Sequence, residues 1–258
     1  MGEHGGSPLL HHSSFIIHHS QLPEITQDYF YKKKVLIFQN KKGYRFSVDA
    51  PILADFLPSR PAEEALEIGT GCGIISLLAL YKNKFAKIVG VEIQESLFHL
   101  AQLNAEKNKF SNRFQPVHGD FNRDYHDFAG FEIIFANPPF FETGKGRISP
   151  NEEIRDAKTE TRLTLNELLI KSRSILGQNG GLYLILPYIR YNHLMTLSRK
   201  TGFFPRRIRE VFSFNDGKPG RFLVQLTTYD APTETLEPLI IFKEKGIYTE
   251  EMNKILSG

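Results

Sequence analysis

Short apolar runs alternate with segments of helical periodicity through the middle of the chain. The apolar runs lie at 64–68, 87–92, 114–118 and 131–136, and the helical segments lie near 74–82 and 95–108. Strands that are apolar along their whole length are typical of a parallel sheet covered by helices on both faces. The alternation therefore predicts an α/β fold in which the carboxyl ends of the strands share one edge.

The flanking segments extend this pattern in both directions. The further predicted elements are a strand at 34–39, a helix at 48–57, a helix at 164–176, a strand at 181–186 and a helix at 189–201. Two last strands, at 204–213 and 221–229, enclose a turn rich in glycine and proline and are predicted to pair antiparallel. Residues 29–258 are therefore expected to form a single domain.

The first twenty residues differ in composition from the rest of the chain. They contain five of the nine histidines, together with several glycines and serines. A His-rich tract can capture a metal ion, but such a composition is more typical of a mobile extension. Residues 1–28 are therefore interpreted as a flexible tail outside the fold, and no metal site is expected.

Overall composition narrows the class of protein. With 32 Lys and Arg against 29 Asp and Glu, the formal charge of +3 gives no global field that would dictate a nucleic-acid or membrane partner. A hydrophobic content of 41% excludes a mostly disordered chain. The single cysteine, Cys72, excludes an internal disulfide framework and favours a reducing compartment such as the cytoplasm. No apolar run is long enough for a transmembrane helix. For the oligomeric state, a monomer is favoured.

A glycine-rich turn follows the strand at 64–68. Gly69, Gly71 and Gly73 stand at alternate positions just before an apolar helix start. Glycines remove side chains where the chain turns sharply, and they let a ligand approach the N–H groups of a helix N-terminus. The spacing differs from the G-x-G-x-x-G dinucleotide fingerprint, which disfavours a nicotinamide dehydrogenase. A purely structural turn is the alternative.

Two carboxylates are predicted at the same edge of the sheet. Glu92 ends the strand at 87–92, at the distance from Gly73 that one helix and one strand require. A carboxylate there can accept hydrogen bonds from both hydroxyls of a ribose. Asp120 closes the next strand and can accept from an adenine amino group, or it can simply bond its own turn.

The strongest chemical signal is Asn137-Pro138-Pro139-Phe140, which directly follows the apolar strand at 131–136. The prolines fix the backbone and lack N–H donors, so the carbonyls here can point into a cleft. The side-chain oxygen of Asn137 and the carbonyl of Pro138 can accept both hydrogens of a planar NH₂ group, and Phe140 offers a stacking face. These four residues are the candidate catalytic residues; the alternative is a turn without chemistry.

Taken in order, Glu67, the glycine turn, Glu92, Asp120 and the Asn-Pro-Pro-Phe motif resemble the motifs of S-adenosylmethionine-dependent methyltransferases that act on amino groups. Over roughly 30–258 the chain is similar to the tRNA(Val) adenine-N6-methyltransferase family, which modifies the adenosine immediately 3′ of the anticodon. The segments 45–53, 140–142, 157–164 and 217–219 carry this second likeness. Many relatives have Tyr where this chain has Phe140, so stacking is kept and a phenolic hydroxyl is lost.

The resemblance implies a Rossmann-like sandwich with a mostly parallel seven-stranded sheet and an antiparallel C-terminal hairpin. It also implies S-adenosylmethionine as cofactor and tRNA as substrate. The implied roles are Glu67, Gly69, Gly71 and Gly73 around the amino acid part of the cofactor, Asp49 near its methionine end, Glu92 on its ribose, Asp120 on its adenine, and Asn137 with Pro138 on the target amine.

Substrate recognition is less well determined by the sequence. The candidate RNA-binding residues are Lys41, Lys42, Lys145, Arg147, Arg206, Arg207 and Lys218. Such charges are as often only a solvated face, and they track phosphates only where they line one rim. A glutamine methyltransferase acting on a release factor, a ribosomal RNA guanine-N2 methyltransferase and a noncatalytic RNA-binding protein stay open. Phe141 speaks against the first, whose family typically has Ile there.

Overall fold

The computed structural model describes residues 24–41, 47–138 and 163–258. The strands in these residues are β1 (Ile25–Phe30), β2 (Val35–Asn40), β3 (Arg60–Ile68), β4 (Phe85–Glu92), β5 (Phe114–His118), β6 (Ile133–Ala136), β7 (Gly181–Pro187), β8 (Phe204–Phe212), β9 (Pro219–Thr227), β10 (Glu234–Thr235), β11 (Leu239–Ile240), β12 (Phe242–Glu244) and β13 (Ile247–Tyr248). The helices are α1 (Asp49–Phe56), α2 (Ile74–Tyr81), α3 (Glu95–Lys107), α4 (Phe121–Asp124), α5 (Leu165–Ile175), α6 (Tyr191–Lys200) and α7 (Glu250–Ser257), with 3₁₀ turns at Tyr125–Phe128 and Tyr188–Arg190.

One large sheet organises the molecule, in the strand order β10-β8-β9-β7-β6-β3-β4-β5. The strands β5, β4, β3, β6 and β7 run parallel, whereas β9 pairs antiparallel with both β7 and β8. This arrangement confirms the predicted parallel sheet with an antiparallel hairpin. The sheet has nine strands in the described part of the chain, not seven, because the two-residue strands β10 and β11 add to the outer edge of β8.

Both faces of the sheet are covered, which explains why its central strands are apolar throughout. Adjacent residues of β3 illustrate this: Ala65 packs into the core beneath α1, α2, α3 and α7, and Leu66 packs into the core beneath α5 and α6. Both side chains are fully buried. Because every position of such a strand lies against a helix, no polar alternation remains in the sequence.

Regular secondary structure is present earlier in the chain than predicted. Strand β1 starts at Ile25, so residues 25–28, which the composition assigned to the tail, are part of a strand. This strand pairs antiparallel with β2 from Ile25 opposite Asn40 to Phe30 opposite Val35. The polar residues of β1 lie on a half-exposed hairpin, where a strand needs no apolar run.

In the part of the chain that the structure describes, no helix is both long and apolar enough to cross a membrane.

Candidate functional site

The carboxyl ends of the parallel strands bring the predicted site residues to one edge of the sheet. The glycine turn follows β3, Glu92 ends β4, Asp120 lies two residues beyond β5, and Asn137 follows β6 directly. A cleft at this edge is lined by Ala50, Glu67, Gly69, Thr70, Gly71, Cys72, Ile74, Ile75 and Asn137. The glycine turn, Glu67 and Asn137 therefore face the same space.

The glycine turn has a backbone that other residues rarely adopt. The φ angles of Gly69, Gly71 and Gly73 are +69°, +58° and +84°. A Cβ atom on Gly73 would also come within 2.5 Å of the Phe114 ring. The N–H groups of Gly69 and Thr70 both donate to the Val91 carbonyl, at 2.9 and 3.0 Å, which ties the turn to β4.

Glu67 is buried beneath this turn with only half of its carboxylate engaged. Its Oε2 accepts hydrogen bonds from the Thr70 hydroxyl, at 2.6 Å, and from the Ser76 hydroxyl. Its Oε1 is buried and accepts none from the residues that the structure describes. Burial raises the pKa of this carboxyl to about 8, against the two hydroxyl donors that lower it. Glu67 lines the cleft, and its Oε1 thus has no hydrogen-bond partner among the described residues.

The raised pKa of Glu67 predicts a pH-dependent stability for the cofactor-free protein. The folded protein holds this proton up to about pH 8, whereas an ordinary Glu loses it near 4.5. Between these two pKa values the folded state binds more protons than the unfolded state. The stabilisation that this proton gives the folded state is therefore full below pH 4.5 and is lost as the pH rises through about 8. We expect Glu67→Gln, which keeps an oxygen for Thr70 and Ser76, to show a flatter melting temperature between about pH 6 and pH 8.5.

Exposed Glu106→Gln serves as the control in the same melting series and should keep the wild-type slope. Nearby Glu92 also has a raised pKa, so some slope will persist in Glu67→Gln. An unchanged slope in Glu67→Gln would show that this carboxyl does not hold the proton.

Glu92 ties the glycine turn to the end of β4. Its Oε2 accepts from the Gly71 N–H and its Oε1 from the Gln94 N–H, each at 2.8 Å. Burial raises the pKa of this carboxyl, and the backbone donors oppose that rise. Each carboxylate oxygen has a second lone pair, so two ribose hydroxyls can still donate to it.

Asp120 caps the short helix α4. Its Oδ1 accepts from the Asn122 N–H at 2.9 Å, so the turn-bonding alternative raised from the sequence is present in the structure. A role toward adenine stays a prediction.

Asn137 presents an acceptor that no described residue uses. Its Oδ1 is buried and receives no hydrogen bond within the described ranges. Leaving such an oxygen unpaired costs about 1–3 kcal/mol, which a donor on a bound ligand would recover. Pro138 is half-buried beside it. Pro139 and Phe140 lie outside the described residues.

Asp49 is fully buried at the start of α1, next to the cleft-lining Ala50. The Nε of Arg221 on β9 contacts its Oδ1. Burial raises the pKa of this carboxyl, and the Arg221 charge opposes that rise. No sequence pattern predicts this contact, since only the antiparallel return of β9 brings Arg221 to α1.

Among the described residues, the candidate RNA-binding residues lie at different places on the molecule. Lys218 lies in the turn between β8 and β9, at the edge where Arg221 pairs with Pro187 at the carboxyl end of β7. Arg206 instead donates to the Pro232 carbonyl at 2.6 Å, and Arg207 lies over the ring of Phe56 at the far end of α1 from Ala50. Lys41 pairs with Glu24 at 3.1 Å. Lys42, Lys145 and Arg147 lie outside the described residues.

An exposed apolar side chain lies just after the carboxyl end of β7. Ile189, in the 3₁₀ turn after β7, is 90% exposed. The rings of Tyr188 and Tyr191 on either side stack at 5.4 Å, and both contact buried Phe222 edge-on. The turn is therefore anchored while Ile189 projects outward. Only this fixed geometry, and no sequence pattern, identifies it.

Comparisons with known proteins show the family of the chain. A curated tRNA1(Val) (adenine(37)-N6)-methyltransferase of Actinobacillus pleuropneumoniae is 26% identical over 227 residues, which cover 88% of this chain and 94% of that protein. A protein of the same name from Porphyromonas gingivalis is 28% identical over 235 residues, covering 87% and 91%. A solved structure described as a predicted O-methyltransferase of Agrobacterium tumefaciens matches with a TM-score of 0.62 at 16% identity, over 80% of this chain and 94% of that one. This last likeness concerns the fold alone and confirms the predicted Rossmann-like sandwich. Residues 45–200, more than half of the chain, match the family model described as methyltransferase small domain, and the chain belongs to that family.

Proposed function

We propose that this protein transfers a methyl group from S-adenosylmethionine to the N6 amino group of an adenosine in tRNA. The target that we propose is the adenosine immediately 3′ of the anticodon of tRNA(Val), and the relatives named tRNA1(Val) (adenine(37)-N6)-methyltransferase support this choice. The observation that carries the proposal is the buried Asn137 Oδ1, without a described partner, in the cleft formed by the glycine turn.

In the proposed reaction, a poor nucleophile must attack the methyl group. The lone pair of an adenine amino group is delocalised into the ring, so the flat nitrogen is weakly reactive. Acceptance of its two hydrogens by Asn137 Oδ1 and the Pro138 carbonyl favours a pyramidal nitrogen with a directed lone pair. Bound S-adenosylmethionine supplies an electrophilic methyl group on a sulfonium centre. The alkylated nitrogen is acidic enough to lose its proton to water, so this function requires no strong base from the protein.

The residues on the other side of the cleft fit the amino acid and ribose parts of the cofactor. The Glu67 Oε1 is a buried acceptor for an ammonium group, and Glu92 retains lone pairs for the ribose hydroxyls. The glycine turn leaves backbone atoms open to a ligand because it carries few side chains. Asp49 and Asp120 remain proposed for the methionine end and the adenine.

A loop of RNA suits this reaction better than a duplex. A base in a loop costs less to extrude into a pocket than a base in a paired helix. Lys218 can meet a phosphate of such a loop, and exposed Ile189 can contact a neighbouring base.

The test uses RNA from a strain that lacks this gene. We expect the purified protein and labelled S-adenosylmethionine to methylate the tRNA fraction, and nuclease digestion to release labelled N6-methyladenosine. RNA from the parent strain should accept little label because the site is already modified. A tRNA(Val) transcript with guanosine in place of the adenosine 3′ of the anticodon should accept none.

The other candidate functions give different products in this experiment. Labelled N2-methylguanosine in ribosomal RNA would replace the proposal with a guanine methyltransferase, and label in protein would replace it with a glutamine methyltransferase. Calorimetry without any binding of S-adenosylmethionine would leave a noncatalytic protein.

A further inference from the structure

A buried asparagine on α3 connects the glycine turn to the N-terminal hairpin. Asn104 is fully buried. Its side-chain nitrogen donates to the carbonyls of Cys72, at 2.8 Å, and Phe38, at 2.9 Å. Its side-chain oxygen accepts from the Phe38 N–H at 2.7 Å. The side-chain amide of Asn104 thus links the glycine turn, α3 and β2.

The next asparagine along the same helix face provides a natural comparison. Asn108 lies one turn after Asn104 and bonds Leu36 in the same way, with its oxygen accepting from the N–H at 2.8 Å and its nitrogen donating to the carbonyl at 2.6 Å. Its second donated bond goes to the Asn104 carbonyl within α3, at 2.7 Å. Both asparagines therefore hold β2 against α3, but Asn104 also bonds the glycine turn.

The bond to Cys72 bears on the part of the turn that lines the cleft. The Cys72 carbonyl and the Gly73 N–H belong to one planar peptide group. Asn104 holds the carbonyl, and the N–H donates to the Thr70 carbonyl at 2.9 Å. With both ends held, this peptide cannot rotate freely, and its orientation sets the turn between Gly71 and the start of α2.

We propose that Asn104 is a positioning residue for cofactor binding, and that through it the docking of the hairpin at residues 25–40 and the affinity for S-adenosylmethionine are coupled. This inference rests on the proposed function, because it concerns the same cleft. Asn104 touches neither the cofactor nor the substrate in this scheme. It acts by fixing the Cys72–Gly73 peptide, and the hairpin in turn fixes Asn104.

The first test compares two alanine variants by calorimetry with S-adenosylhomocysteine. We expect Asn104→Ala to weaken binding by about 5- to 20-fold, the loss that one or two buried hydrogen bonds cause. The KM for S-adenosylmethionine should rise by a similar factor with little change in kcat. Asn108→Ala loses the matching bonds to β2 but keeps the bonds of Asn104 to Phe38 and Cys72, so it should lower the melting temperature and weaken the affinity clearly less than Asn104→Ala. Equal affinity losses in the two variants, or none in Asn104→Ala, would overturn the inference.

The second test needs no variant and holds even if Asn104→Ala fails to fold. Coupling is reciprocal, so S-adenosylhomocysteine must stabilise the docked hairpin as much as docking strengthens binding. We expect hydrogen exchange of the Phe38 and Leu36 amides to slow when wild-type protein binds S-adenosylhomocysteine, more than the exchange of the distant β8 amides. Unchanged exchange at Phe38 in saturated protein would overturn the coupling. Failure of the wild-type protein to bind S-adenosylhomocysteine at all would instead overturn the proposed function.

Discussion

Asn137→Ala is expected to lower kcat by on the order of 10²-fold or more while the protein still binds S-adenosylmethionine. The variant removes the buried side-chain oxygen proposed to accept one hydrogen of the target amine. Because Oδ1 has no hydrogen-bond partner in the described part of the protein, its loss breaks no fold-stabilising bond that the structure shows. The melting temperature should therefore stay close to that of the wild type. Single-turnover kinetics with unmodified tRNA(Val) measure the effect directly.

Two controls separate chemistry from packing in this experiment. Asn137→Asp keeps an acceptor at the same place and should retain more activity than Asn137→Ala. Exposed Asn253→Ala, on α7, should turn over like the wild type. Near-normal turnover by Asn137→Ala would mean that another group holds the amine.

Gly73→Ala is expected to have the largest effect on stability, a loss of about 2–4 kcal/mol in the free energy of unfolding. Two costs add here. An alanine at φ +84° adopts the left-handed conformation, and its Cβ would lie 2.5 Å from the Phe114 ring, so the ring or the turn must shift. Urea denaturation of the purified protein measures the loss, and calorimetry should show weakened cofactor binding because the turn moves.

The same turn offers the matched control. Gly69 has a φ of +69°, but a Cβ there meets nothing within 4 Å. Gly69→Ala should therefore pay only the conformational cost, about 1–2 kcal/mol. Adding Phe114→Leu should recover part of the loss in Gly73→Ala and none in Gly69→Ala. Equal losses in the two single variants would show that the Phe114 contact is not the cause.

Elements that contain a strong local signal were predictable from the sequence. The apolar run at 114–118 became β5 with the same bounds, and the period-3.6 segment near 95–108 became α3. In both elements, the geometry of the strand or helix decides which residues are buried. The order of apolar and polar residues along the chain therefore predicts the element. No such local pattern of apolar and polar residues predicts the two-residue strands β10 and β11. Their pairing with β8 is accompanied by bonds from Arg206 and Arg209 to the carbonyls of Pro232 and Glu237, and by the packing of Leu239 beside Val211 in the core.

The candidate site divides in the same way. The order of the glycine turn, Glu92 and Asn137 along the chain was enough to predict a shared edge, since parallel strands place their carboxyl ends together. The contacts that side chains at and near the site make with other elements were not predictable. That Arg221 contacts Asp49 and that Arg207 lies over the ring of Phe56 instead of lining the cleft depend on contacts between elements distant in the chain.

The sequence by itself determined the α/β class and the sheet edge that carries the glycine turn, Glu92 and Asn137, because strand periodicity and residue type are local properties. Only the tertiary structure decided which acceptors are left unpaired and which basic residues are already engaged. It also revealed the link from the hairpin through Asn104 to Cys72, whose members are 66 and 32 residues from Asn104 along the chain. Hydrogen bonds of such long range are made by packing, and no local pattern encodes them.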